Sequence, residues 1–308
     1  MLSRRGFLSF LGALAAVGST RSAGAAPGIV PAAPSGEAPA FEVRDLAVAG
    51  DRHLGRRFTL LVPTGPSAPI PTRLLVLFHG LGETGDERAG VYAWLERYGL
   101  ADAYRRLLRP PILRRSKYPY WPAGRLELVN AGLEREPFRG LAIACPYTPN
   151  IYKVPSRELA LEGYARWVAE VVLPRAQAEL GVALCARQTS LDGCSLGGYV
   201  GLEVFLRRPE LFGAWGSVQG ALGGFRVPGY ADKLAAIVAR LGPRPLHLET
   251  SSDDPFHDVN LDLSKALRAR SIPHELLVGS GPHNQPWLCE AGTLEMLLWH
   301  DRLGRARC

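Results

Sequence analysis

The sequence predicts an α/β architecture in which a mostly parallel central sheet is covered by helices on both faces. Three observations carry this. Strand-length apolar runs alternate with longer amphipathic stretches, the rhythm of parallel sheets with helical crossovers. One run, 73–78, is apolar after its first residue and closes on His79-Gly80-Leu81-Gly82, so its length and flanking glycines point to a buried strand. A further short strand, 188–192, turns at Gly193-Cys194-Ser195-Leu196-Gly197-Gly198 directly into a helix that runs to about Arg207.

In chain order, strands at 41–48 and 57–62 precede the 73–78 strand, and 140–145 reads as another central one. Residues 157–180 form a long amphipathic helix with Leu161, Tyr164, Val168, Val171 and Val172 near one face, and Pro174 is placed to bend it near its end. After the turn at Ser195 and its helix, a strand leads into Gln219-Gly220. A strand at 245–250 then ends in Ser251-Ser252-Asp253-Asp254-Pro255, with a helix beginning near Asp258. The last strand, 275–278, ends in Gly279-Ser280-Gly281-Pro282-His283, ahead of a final helix.

With 308 residues, 47% of them hydrophobic and 21% charged, and no internal repeat, the chain is expected to form one large domain over 41–308, with an insertion at about 105–137. A leader at 1–26 precedes it. Arg4 and Arg5 stand before an acid-free apolar run, 7–17, and small residues offer a cleavage site at Ala23-Gly24-Ala25. The pattern resembles a twin-arginine export signal, too short to span a bilayer comfortably, so a soluble protein in the periplasm or outside the cell is expected after cleavage. Residues 27–40, rich in Pro, Ala, Gly and Ser, read as a flexible linker.

Removing Arg4, Arg5 and Arg21 with the leader lowers the formal charge from +7 to +4. The remaining excess is scattered, and no long basic block interleaved with aromatics supports nucleic-acid binding. The cysteines at 145, 185, 194, 289 and 308 include no C-x-x-C pair, so neither a zinc site nor a thioredoxin-like motif is indicated. Their odd number leaves at least one thiol unpaired in a monomer, and the pairing stays open.

The chemistry concentrates at Ser195. A serine hydroxyl is a poor nucleophile until a tight turn exposes it and a base takes its proton. Gly193 and Gly197 occupy the two glycine positions of G-x-S-x-G, where close-passing chains leave no room for side chains. The N–H groups opening the next helix favour a negative oxygen, which makes Leu196 one candidate oxyanion donor; the N–H of Leu81, in the loop after the third strand, is the other candidate. His79 is read as a brace for that loop. Downstream, His283 is the candidate base and an aspartate after the 245–250 strand the acid that orients it. Asp254, immediately before a proline, is favoured, with Asp253 as the alternative and helix capping as the plain reading of both. The order Ser195, Asp254, His283 is that of G-x-S-x-G hydrolases. His53, His247, His274 and His300 are assigned to packing or solvent, and His257 and Asp258 lack the further ligands a metal needs.

These residues carry a resemblance to the esterase family related to esterase D, which includes enterochelin-esterase-like, feruloyl-esterase-like and polyhydroxybutyrate-depolymerase-like enzymes. Its marks are Leu77-Phe78-His79-Gly80, Asp192-Gly193-Cys194-Ser195-Leu196-Gly197-Gly198, Arg208-Pro209-Glu210-Leu211-Phe212-Gly213, Asp254-Pro255 and His283, spanning about 58–299. The resemblance implies an α/β-hydrolase fold, a Ser195–Asp254–His283 triad with an oxyanion hole at the N–H groups of Leu81 and Leu196, and hydrolysis of a carboxylic ester without metal or organic cofactor. Gln219-Gly220 departs from the Ser-Gly the family often has there. A peptidase, an acyltransferase or a catalytically silent binding protein on the same scaffold are the alternatives. The substrate is expected to be a small or polymeric ester. Tyr118, Tyr120 and Trp121 in the insertion, with Trp287, either wall its pocket or pin the insertion to the core. Oligomeric state is left open.

Overall fold

The computed structural model describes residues 40–51, 53–64 and 72–303. The expected leader (1–26) and, but for Ala40, the linker (27–40) lie outside the described residues. The strands are β1 (Phe41–Asp51), β2 (Gly55–Pro63), β3 (Leu74–Phe78), β4 (Ala142–Pro146), β5 (Thr189–Gly193), β6 (Ala214–Val218), β7 (Leu246–Asp253) and β8 (Glu275–Pro282). They form one eight-stranded sheet in the order β1-β2-β4-β3-β5-β6-β7-β8. The β1–β2 and β2–β4 pairs are antiparallel and the others parallel. Helices follow as α1 (Glu87–Glu96), α2 (Leu100–Leu108), α3 (Arg125–Arg135), α4 (Arg157–Trp167), α5 (Leu173–Leu180), α6 (Leu196–Arg207), α7 (Val227–Leu241), α8 (His257–Arg268) and α9 (Thr293–Arg302).

The sheet separates two cores, and the period of two along β3 shows how. Leu74, Val76 and Phe78 join Leu191, Trp215 and Leu248 against α4 to α8. Leu75 and Leu77 join Ile143 and Val218 against α1 to α3 and α9. Because successive strand side chains point to opposite faces, a central strand covered on both sides must be apolar at every position, and all five β3 residues are fully buried.

The expected helix 157–180 is interrupted. Its register slips to a single π turn over Val168–Val172, and Pro174 stands at the start of α5, where a missing N–H is tolerated. The last strand runs further than its apolar core predicts, through the glycine-bearing segment to Pro282. Asp253 pairs with Pro282 across the β7–β8 ladder, so that segment is sheet edge rather than loop. The expected insertion contains the end of α2, all of α3, and an irregular stretch between them.

Strand order places the site. From β3 the chain moves outward to β4, then returns to β5 on the other side of β3, so the ends of β3 and β5 lie side by side with Phe78 opposite Gly193. Such a reversal opens a crevice at the carboxyl ends of the strands. The Gly80 loop and the Ser195 turn both emerge there.

Candidate active site

Ser195 sits between β5 and α6 with φ 55° and ψ −117°, a left-handed conformation that a side-chain-bearing residue adopts only under constraint. The constraint is visible in the hydrogen bonds around it. Ser195 N–H donates to Val218 O at 3.0 Å, and Ser195 O accepts from Ala221 N–H at 2.9 Å, pinning the turn to the end of β6. The glycines are required sterically. A Cβ on Gly197 would lie 2.2 Å from Phe78 O, and one on Gly193 would lie 2.5 Å from the Gly197 carbonyl carbon. Ser195 is half-buried.

His283 follows β8 directly, and its Nδ1 lies 2.9 Å from Asp254 Oδ1. The same oxygen accepts from Phe256 N–H at 2.9 Å, and the other accepts from the Thr250 hydroxyl at 2.7 Å. With Asp254 buried and every hydrogen bond aimed at its oxygens, the carboxylate acts as acceptor, so Nδ1 carries the imidazole proton and Nε2 is the basic nitrogen. Asp253, one residue earlier, is exposed. Phe256 packs edge-on against the His283 ring, 5.4 Å between centroids.

Leu81 and Leu196 are the first residues of their helical turns, so their N–H groups have no intrahelical acceptor. The Gly80 loop reaches the serine: a Cβ on Gly80 would lie 3.7 Å from Ser195 Cβ. His79 is fully buried, accepts from Thr148 N–H through Nε2 at 2.8 Å, and therefore donates from Nδ1 to Gly80 O, also at 2.8 Å. Burial pushes its pKa down to about 4, so the ring is a neutral brace on the peptide that carries the Leu81 N–H.

The aromatic residues of the insertion divide. Tyr118 is exposed, while Tyr120, Trp121 and Trp287 are buried. Tyr120 O accepts from Ser280 N–H at 3.2 Å, and Tyr120 packs on Gly281, whose φ of 115° and lack of Cβ admit the ring. Trp121 donates to Glu290 at 3.3 Å. Tyr120 thus holds the insertion against β8, Trp121 ties it to the segment after His283, and Trp287 packs on Gly279 and Gly281.

Two arrangements escaped sequence reasoning. Gln219, at φ 49°, donates from Nε2 to Ser251 Oγ at 2.6 Å and to Pro282 O at 3.4 Å, tying the ends of β6, β7 and β8 together beside His283. The Gln-Gly departure from the family pattern signalled an altered contact without showing this one. Beneath the turn lies a buried polar cluster: His300 meets Asp192 at 2.9 Å, and His247 stacks on Trp299 at 5.0 Å. Burial pushes Asp192 up to about 7 and His247 down to about 4. Burial, with Glu295 and Asp192 nearby, raises Glu249 well above the usual carboxylate range. Cys145, Cys194 and Cys289 carry free thiols, and Cys185 is disulfide-bonded. No group of metal-ligating side chains occurs among the described residues, and no helix there is long and apolar enough to cross a membrane.

The sheet order, its reversal between β3 and β5 and the turn at Ser195 define an α/β-hydrolase fold. Solved structures share it. The chain is similar to a ferulic acid esterase at 16% identity and TM-score 0.61, covering 86% of this chain and 99% of that one. It is similar to the fluorophosphonate-binding serine hydrolase F of Staphylococcus aureus at 14% and 0.57, covering 85% and 99%. It also resembles an S-formylglutathione hydrolase of Staphylococcus aureus at 15% and 0.58, covering 89% and 100%. No protein-family model and no curated protein sequence matches the chain.

Proposed function

We propose that the chain is an exported serine hydrolase that cleaves a carboxylic ester through an acyl-enzyme on Ser195. The observation that carries this reading is the 2.9 Å contact between Asp254 and His283, which follow the adjacent strands β7 and β8 in the sheet whose strand β5 presents Ser195. The structural likeness to proteins named as esterases and hydrolases supports the ester class.

In this mechanism His283 Nε2 removes the Ser195 proton as Oγ attacks the ester carbonyl. Asp254 stabilises the imidazolium that forms. The tetrahedral oxygen takes hydrogen bonds from Leu81 and Leu196 N–H, and collapse expels the alcohol with the proton from His283. Water, deprotonated by the same nitrogen, then releases the acid and regenerates Ser195. Export rests on Arg4, Arg5 and the apolar run 7–17, and Arg4→Lys with Arg5→Lys should leave the precursor uncleaved inside the cell.

The test is hydrolysis of a panel of nitrophenyl acyl and feruloyl esters, with labelling by a fluorophosphonate, for wild type, Ser195→Ala and His283→Ala. Turnover and labelling present in wild type and lost in Ser195→Ala support the reading. Amide cleavage or acyl transfer in place of ester hydrolysis would reassign the reaction, and a folded wild type inert to both would leave a binding protein.

A further inference from the structure

Three side-chain atoms gather around the point where a Gly80 Cβ would be. Cys194 Sγ and Ser195 Cβ each lie 3.7 Å from that point, and Tyr98 Oη lies 3.2 Å from it. Tyr98 lies between α1 and α2 and donates its hydroxyl to Glu83 Oε2. Glu83 closes the turn that Leu81 opens. One hydroxyl thus stands beside the residue before Leu81 and holds the residue two after it.

Both partners are firmly seated. Tyr98 is 5% and Glu83 4% exposed. Tyr98 meets Trp94 edge-on at 5.2 Å, and its carbonyl accepts the Thr293 hydroxyl at 2.6 Å. Trp94 Nε1 in turn donates to Phe78 O at 3.0 Å, at the end of β3. Glu83 receives Arg97 Nη1 at 3.3 Å. Burial and the neighbouring negative groups raise the Tyr98 hydroxyl well above its usual range, so it stays protonated and remains a donor. A buried carboxylate is a costly way to hold a turn, because an apolar contact avoids its desolvation. What a hydrogen bond adds is direction.

We infer that Tyr98 and Glu83 are positioning residues: their hydrogen bond fixes the orientation of the Gly80–Leu81 peptide so that the Leu81 N–H points at the oxyanion formed on Ser195. This rests on the hydrolase reading above. His79 holds the carbonyl end of that peptide, and the Tyr98–Glu83 pair holds the turn that follows. Loss of the pair leaves substrate binding intact and weakens only the contact made when the oxygen becomes negative, so it lowers kcat rather than raising KM.

The experiment compares wild type, Tyr98→Phe, Glu83→Ala, Glu83→Gln and Tyr98→Phe/Glu83→Ala on a nitrophenyl ester, with thermal unfolding as the control for folding and Ser195→Ala as the blank. Binding of an alkyl trifluoromethyl ketone, which forms a tetrahedral oxyanion on serine, is measured beside turnover. Misaiming one oxyanion donor should lower kcat about 10- to 100-fold in Tyr98→Phe and Glu83→Ala with KM within about twofold. Ketone affinity should fall in parallel, the double variant should be no worse than either single one, and Glu83→Gln, which still accepts the hydroxyl, should recover most of the rate. A folded Tyr98→Phe with wild-type kcat and ketone affinity overturns the clamp. So does a Glu83→Gln as impaired as Glu83→Ala. Should Tyr98→Phe not fold, the two Glu83 variants decide alone. Wild type that neither turns over esters nor reacts with fluorophosphonate overturns the hydrolase reading, and the clamp with it.

Discussion

His300 Nε2 lies 2.9 Å from Asp192 Oδ2, and neither side chain has any solvent exposure. Gly216 makes room for the pair, since a Cβ there would fall 1.9 Å from the same carboxylate oxygen. Asp192 Oδ1 accepts from Gly193 N–H at 2.6 Å, so the carboxyl supports the strand end from which Ser195 turns. Asparagine at 192 can reproduce both contacts, its oxygen toward Gly193 and its amide toward a neutral imidazole. Asp192→Asn is expected to cost less than about 1 kcal/mol, whereas His300→Ala, which strands a buried carboxyl, should cost about 3–5 kcal/mol in urea unfolding. Equal losses in the two variants would show that the pair does not work this way.

The acid of the site is open to a direct comparison. Asp254→Asn should lower kcat/KM about 10³- to 10⁴-fold by allowing the wrong imidazole tautomer, while Asp253→Asn, altering an exposed side chain, should stay near wild type. Steady-state kinetics on one ester decides it, and a large loss in Asp253→Asn would move the role.

The dependence of stability on pH has opposed contributions. His79 and His247 are both lowered to about 4, so in the folded state they bind fewer protons than in the unfolded chain. Their contribution is fully present above about pH 6.5 and is lost as pH falls toward 4. Asp192, raised to about 7, contributes stability that is complete below about pH 4 and is lost as pH rises through 7. Urea unfolding at intervals from pH 4 to 7 should therefore show a slope about 1.4 kcal/mol per pH unit less positive in His79→Gln and more positive in Asp192→Asn than in wild type. Unchanged slopes would mean that these groups titrate alike in both states.

Glycine substitutions test the packing of the turn. Gly197→Ala drives a methyl group against the Phe78 carbonyl at 2.2 Å, backbone that cannot yield, and should prevent folding or cost more than about 3 kcal/mol. Gly82, with nothing within 4 Å of its Cβ position, should accept alanine within about 0.5 kcal/mol. Thermal unfolding of the two proteins checks both.

The strands and the Ser195 turn were legible because one constraint dominates each: burial on both faces makes Leu74–Phe78 apolar throughout, and chain crossing demands glycine at 193 and 197. The limits of β8 were not, because Gly279 and Gly281 read as loop residues until packing against Trp287 and Tyr120 explains them. His300 looked like a residue of the terminal helix, and Asp192 like a motif position; only the fold brings residues so distant in sequence together. Composition could not separate wall from pin for Tyr120, Trp121 and Trp287, since an aromatic ring serves either. Tyr98 and Glu83 carry no motif at all, and their relationship exists only because α1 folds back over the end of β3.

The backbone of Ser195 has a consequence for how such a chain can change over generations. At φ 55° and ψ −117°, glycine fits better than serine, and Ser195→Gly would relieve strain of the order of 1 kcal/mol while removing the reactive oxygen. With Ser195 as the proposed nucleophile, the silent sequence is thus one substitution away and is the sturdier of the two. Persistence of serine there depends on selection for what its hydroxyl does, and a lineage released from that selection would drift downhill toward a stable, silent protein.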